Sequence, residues 1–83
     1  MEKRTLFDKV ECPDTGAIGV RLRKVIVDGE KEIHSEYHRT VIEDGVSADE
    51  QMETVNRHLD VLGYPPVSAD VVKRISKIVK AAR

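Results

Sequence analysis

The chain has 83 residues, with 14 Lys and Arg against 15 Asp and Glu, one Phe, two Tyr, no Trp and one cysteine. That length sets a single domain over residues 1–83 with a thin stability margin, since a chain this size buries only about 60–65% of its unfolded surface. A formal charge of −1 excludes bulk attraction to nucleic acid or membrane, and Cys12 alone excludes an internal disulfide and a thiolate zinc cage.

The charge is nevertheless unevenly placed. Asp28 to Glu53 is acidic apart from Lys31 and Arg39, whereas Lys73, Arg74, Lys77, Lys80 and Arg83 make the C-terminus basic. Opposite poles of this kind can attract a second copy or a partner. No apolar run reaches transmembrane length, and "MEKRTLFDKVECPD" lacks the apolar centre of a secretion signal. The expectation is a soluble, cytoplasmic protein.

In chain order, "RTLFDKVEC" reads as a first strand, followed by a "PDTG" turn with Pro early and Gly late. Cys12 lies at the end of that strand with no base near it in sequence. Then comes the strongest local signal, a β-hairpin in "AIGVRLRKVIVDGEKEIHSEYHRTVI", turned at Asp28-Gly29 in the type I′ manner. If those two residues are the loop, Val27 pairs with Glu30, Lys24 with Ile33, Leu22 with Ser35, Val20 with Tyr37 and Ile18 with Arg39. Ile26 and Val41 share that mostly apolar face. The other face pairs Val25 with Glu32, Arg23 with His34, Arg21 with Glu36 and Gly19 with His38, setting positive against negative groups. A four-residue loop, Asp28 to Lys31, keeps the same faces, and a three-residue loop scrambles them.

Two helices should cover this meander. Ser47 and Glu50 form a capping-box signature, Ala48, Met52, Val55, Leu59 and Leu62 form an apolar stripe, and Gly63 closes the helix in a left-handed cap. "YPP" cannot continue it. Ser68 caps a second helix, with Val67 and Val72 as a hydrophobic staple and Val71, Val72, Ile75, Ile78, Val79 and Ala82 as its stripe. The fold expected is α+β: a three-stranded antiparallel β-meander followed by a helical hairpin, in the order β-β-β-α-α.

The reactive groups of "EIHSEYHRT" invite a catalytic or metal reading. On a strand, however, His34 and His38 stand roughly 13 Å apart at about 3.3 Å per residue. The zinc-protease motif also needs Glu directly after the first His, where Ser35 stands. His34, Glu36 and His38 point to one side, and Ile33, Tyr37 and Val41 to the other. A solvated, salt-bridged strand face follows. The sequence carries no nucleophile elbow, phosphate-binding glycine loop, metal motif or dinucleotide fingerprint, and Asp8, His34, His38, His58 and Tyr37 could serve chemistry only by converging in space. A non-catalytic protein without cofactor or metal is expected.

Two binding readings remain. Protein–protein assembly fits the modest core, the polar charge and the exposed sheet edges, with Tyr37, Arg39 and Tyr64 as contact candidates. Core filling for Tyr37 and linker packing for Tyr64 are the structural alternatives. The second is a small nucleic-acid-binding or regulatory protein in which Lys73, Arg74, Lys77 and Lys80 contact phosphates. That helix lacks the Asn, Gln and Thr residues that read base edges, and two prolines lengthen the turn before it.

The run "VRLRKVIVDGEKEIHSEYHRTVIEDG", a strand, an acidic turn and "YHRTVI" leading to a polar helix cap, resembles small proteins encoded among tailed-bacteriophage and prophage structural genes. In these a short hairpin often ends in Tyr-His-Arg. The likeness spans about a third of the chain. It implies Tyr37, His38 and Arg39 as motif positions, other virion or tail-region proteins as partners, and location in the virion.

Overall fold

A computed structural model describes residues 1–12 and 16–83. It contains β1 (Glu2–Glu11), β2 (Ile18–Asp28), β3 (Lys31–Ile42), α1 (Ala48–Val61) and α2 (Ala69–Ala82). The strands form one antiparallel sheet in the order β1-β2-β3. This is the expected β-β-β-α-α arrangement. Of the expected "PDTG" turn, Pro13, Asp14 and Thr15 lie outside the described residues.

The hairpin register departs from expectation, and one residue accounts for the departure. Asp28 pairs with Lys31 and Val27 with Glu32, so the loop is Gly29-Glu30 rather than Asp28-Gly29. Gly29 has φ 64° and Glu30 is not left-handed, which suits a type II′ turn and not type I′. These first pairs keep the expected faces. Ile33 is then an extra residue, because the next pair is Ile26 with His34. A bulge of one residue reverses the parity of everything beyond it.

Val20 therefore faces Thr40, Leu22 faces His38, Lys24 faces Glu36 and Arg21 faces Arg39. Tyr37, Arg39 and Val41 lie on the side opposite Ile18, Val20 and Leu22, not beside them. The expected crossing of Arg21 with Glu36, Arg23 with His34 and Gly19 with His38 does not occur.

Both helices pack on the face carrying Ile18, Val20, Leu22 and Ile42. These residues join Met52, Val55, Leu59, Val67, Ile75 and Val79 in one buried cluster, with Phe7, Val10, Tyr64, Val71 and Val72 packed against it. Each fully buried aliphatic side chain stabilises the fold by about 1.5–3 kcal/mol. The stripes are narrower than expected: Leu62 and Ile78 are exposed hydrophobics, and Ala82 is exposed. Leu62 is the α1 C-cap, where the helix ends, so its side chain leaves the stripe.

The caps form as the sequence requires. Ser47 Oγ accepts from Glu50 N at 3.1 Å, and Ser68 Oγ from Val71 N at 3.3 Å. Gly63, at φ 81°, donates to Asp60 O at 3.0 Å, and Tyr64 donates to Leu59 O at 2.9 Å. That bond pair is a Schellman closure, which needs the left-handed residue that glycine supplies without strain. Val67 N donates to Asn56 Oδ1, so α1 fixes the start of α2. Arg83 donates to the carbonyls of Glu43 and Val46, tying the C-terminus to the loop before α1.

Candidate interaction surface on the open sheet face

The sheet face away from the helices is built from alternate residues of all three strands. β1 contributes Leu6 and Asp8, β2 contributes Arg21, Arg23 and Val25, and β3 contributes Tyr37, Arg39 and Val41. Asp8 falls in a second register shift, between Phe7 and Lys9. Its carboxylate forms an ion pair with Arg21 Nε, and the Arg21 guanidinium lies 4.2 Å from the Tyr37 ring centroid. The Arg39 guanidinium lies 5.9 Å from the same ring centroid. Asp8, Arg21, Tyr37 and Arg39 thus make a polar and aromatic row across the three strands.

Arginine over tyrosine combines an attractive ring quadrupole with flat stacking, worth about 0.5–1 kcal/mol at an exposed site. Tyr37 nevertheless stays 54% exposed, beside Val41 at 47% and Leu6 at 40%. Val25 and Val27 are the buried members of this face, Val25 flanked across the ladders by Arg4 and Ser35. Arg23 pairs with Glu32 and bonds Ser35. Lys9 bonds Glu11 and holds its carboxyl below the ordinary range. Over Gly19 the face dips into a hollow of about 160 Å³ lined by Glu11, Arg21, Arg39 and Val41. Such a volume is below the several hundred Å³ of a small-molecule site.

His38 and Tyr64, the other two assembly candidates, are not on this face. His38 is half-buried on the helix side, and burial first, then Lys24 and His58, push its pKa down. His34 Nε2 lies 2.8 Å from Glu36 Oε1. That hydrogen bond, followed by Lys24, holds the Glu36 carboxyl low. Tyr64 packs on the core with Lys3 and Lys24 over its ring at 5.0 and 5.7 Å. Thr5 donates to Pro65 O at 2.6 Å, docking the same corner on β1. Tyr64 is therefore engaged within the chain.

Lys73, Arg74, Lys77 and Lys80 are gathered along one shallow groove of α2, with Ser76 and Asp49. Arg74 also lies 5.3 Å from the Phe7 ring. Cys12 is exposed. Among the described residues, no three His, Cys, Asp or Glu side chains converge on a metal-sized site. Among the described residues, no helix is long and apolar enough to cross a membrane.

Sequence reasoning missed the Asp8–Arg21–Tyr37 row because the expected register put Arg21 and Tyr37 on opposite faces. The signal available was the pair Val41-Ile42: choosing Ile42 as the core residue reverses β3 and brings the two together. No protein-family model, curated protein or solved structure matches this chain.

Proposed function

We propose that the protein acts without catalysis, as a protein–protein assembly or adaptor module that works through the uncovered side of its sheet. One observation carries the reading: Leu6, Tyr37 and Val41 stand exposed on a face that no helix covers, interleaved with arginines. Tyrosine and arginine are the residue types that dominate interface energetics, and exposed apolar groups clustered on one face mark contact surfaces. Both outer strands also offer unpaired backbone groups to a further strand. The Tyr-His-Arg resemblance supports a place among phage or prophage virion or tail-region components, with the protein in the cytoplasm before assembly.

The test is absolute mass by light scattering behind size exclusion, at low and high salt. A discrete oligomer that survives high salt supports apolar or strand-mediated assembly. A monomer at both salts overturns self-association and moves the weight to a second reading.

That reading is phosphate contact by α2, favoured by the grouping of Lys73, Arg74, Lys77 and Lys80 along one groove. Binding of a duplex oligonucleotide should then fall steeply with salt, and Lys73→Glu with Lys77→Glu should abolish it. Affinity unchanged by either would sink it.

A further inference from the structure

We infer that two copies of this chain pair antiparallel through their β3 edges, with Tyr37 opposite Tyr37 of the second copy, forming a continuous six-stranded sheet. The inference rests on the assembly reading above and names its partner and its register.

The two edges of the sheet differ in how they are guarded. β1 carries charge at Glu2, Lys3, Arg4, Asp8, Lys9 and Glu11, and its register breaks in mid-strand at Asp8. Charge and bulges are the means by which edge strands resist pairing. In β3 the bulge lies near the turn, at Ile33, and the ladder runs regularly from His34 to Ile42. Between His34 and Thr40 the only carboxylate or guanidinium groups are those of Glu36 and Arg39. Among the described residues, no strand lies beyond β3. Its Ile33, Tyr37 and Val41 are each about half exposed, at 47%, 54% and 47%.

Symmetry limits the registers. In a two-fold antiparallel pair the residue at the axis meets itself, and its neighbours meet those equally far on the other side. The candidates in the regular segment are Glu36, Tyr37 and His38. Centring on Glu36 sets two carboxylates against each other, which is destabilising. Centring on His38 sets Glu36 against Thr40, Ser35 against Val41 and His34 against Ile42, so no carboxylate meets an imidazole and no apolar residue meets another.

Centring on Tyr37 sets ring against ring and Glu36 against His38 of the second copy, twice. Ser35 then meets Arg39, and Ile33 meets Val41 at both ends. Centring on Ser35 would also set His34 against Glu36 and Ile33 against Tyr37, but it runs the Ile33 bulge through the middle of the ladder and sets Lys31 against Arg39. The Tyr37 register makes both kinds of match with the bulge left at the ladder's ends. It also covers exposed side chains of β3 that nothing in the monomer covers.

The test uses the full chain with Cys12→Ser, so that any disulfide reports the designed position. Glu36→Cys, Tyr37→Cys and His38→Cys are made singly, and Ser35→Cys is mixed with Arg39→Cys to keep Tyr37 intact. Each is checked for native circular dichroism, oxidised mildly, and read on non-reducing gels beside light scattering. The expected result is a doubling of the 9.3 kDa chain mass, a dimer band for Tyr37→Cys alone among the single variants, and one for the Ser35→Cys and Arg39→Cys mixture but for neither component alone.

A doubled mass with the band at position 36 or 38 instead overturns the register. An oligomer with none of these bands overturns β3 pairing but leaves the assembly reading standing. A monomer throughout overturns the pairing and self-association together.

Discussion

Leu22 and Arg21 are neighbours on β2, yet Leu22 is sealed beneath the helices while Arg21 lies across the open face between Asp8 and Tyr37. On the covered side aliphatic chains meet aliphatic chains, and the gain comes from area removed from water. On the open side long cationic side chains lie flat on a ring and against carboxylates, a cheaper way to hold a surface that must stay wet. The lesson is that stability and recognition are separated by strand parity. Substitutions on the two sides should therefore have very different costs.

The largest expected difference is between Leu22→Ala and Tyr37→Ala. Leu22 is fully buried, so its truncation should cost about 2–5 kcal/mol, with a cavity left behind. Tyr37→Ala should cost about 1 kcal/mol or less, mainly the stacking of Arg21. Urea unfolding of both variants measures this at concentrations too low for association. Equal losses would mean that the open face is part of the core and would undo the division.

Next is Gly63→Ala, which probes how the helix pair is held over the sheet. A left-handed residue with a Cβ costs about 1–2 kcal/mol, and the new Cβ would lie 3.1 Å from Lys3 Nζ. The lysine end can move, so the backbone term should dominate. Gly45→Ala, at φ 87° but in open space, carries the same backbone cost without the contact. If Gly63→Ala destabilised no more than a surface alanine, the Schellman closure would not be fixing the α1–α2 corner.

Acid should loosen the helix-facing side of β3 before it touches the open face. His38 has a depressed pKa in the fold, so below its ordinary value of 6.5 the unfolded chain takes up the proton first and stability falls with pH. Glu36 is also depressed, so its contribution is present above its ordinary value of 4.5 and is lost as pH falls through the lower folded value. Both shifts act in the same direction, in two successive windows. Urea midpoints taken near pH 7.5, 5.5 and 4 should decline in both steps. His38→Gln should flatten the first and Glu36→Gln should shallow the second, to which Glu2 and Glu11 also contribute, and a midpoint insensitive to pH would contradict these shifts.

Most of the architecture was legible because each element carries its own local signal. Ser47, Gly63 and Ser68 mark helix ends through backbone bonds that their neighbours make. Met52, Val55, Leu59, Ile75 and Val79 recur at helical spacing. Strand existence was equally plain in the alternation of β2.

What was not legible was which side of β3 meets the core. His34, Glu36 and His38 looked like a solvent face, and on composition alone they are one. They lie on the helix side of the sheet, with His34 and Glu36 still exposed and ion-paired to each other and to Lys24, because Thr40 and Ile42 on the same side fit beneath α1, with Gln51 Nε2 donating to Thr40 Oγ1 at 2.7 Å and Ile42 fully buried. A bulge leaves no sequence signature as firm as a glycine turn, so the reversal came from tertiary packing. The assembly candidates were divided by the same event. Tyr37 and Arg39 went to the open face, His38 went to the helix side, and Tyr64 was spent on the corner it caps.

The smallest expected effect sharpens this point most. Ile33 is unpaired in the β2–β3 ladder, with Val27–Glu32 on one side of it and Ile26–His34 on the other. Deleting Ile33 lets Glu32 and His34 follow one another in ordinary alternation, which leaves every pair on both sides in place. Deletion of Thr40, at the far end of the regular run, has no such repair: either Val41 and Ile42 exchange faces, or the bulge is absorbed and His34 to Arg39 slide by one, which turns Tyr37 and Arg39 to the helix side. The first deletion should change stability by under about 1 kcal/mol, in the range of surface changes and minor ladder repairs. The second should cost several times more, since either Ile42 leaves the core or Arg39 enters the place of Thr40 beneath α1. Paired thermal melts and amide-exchange protection across β2 read the contrast. If deleting Ile33 unfolds the protein while deleting Thr40 is tolerated, the bulge lies elsewhere in β3 and the assignment of its two faces must be reversed.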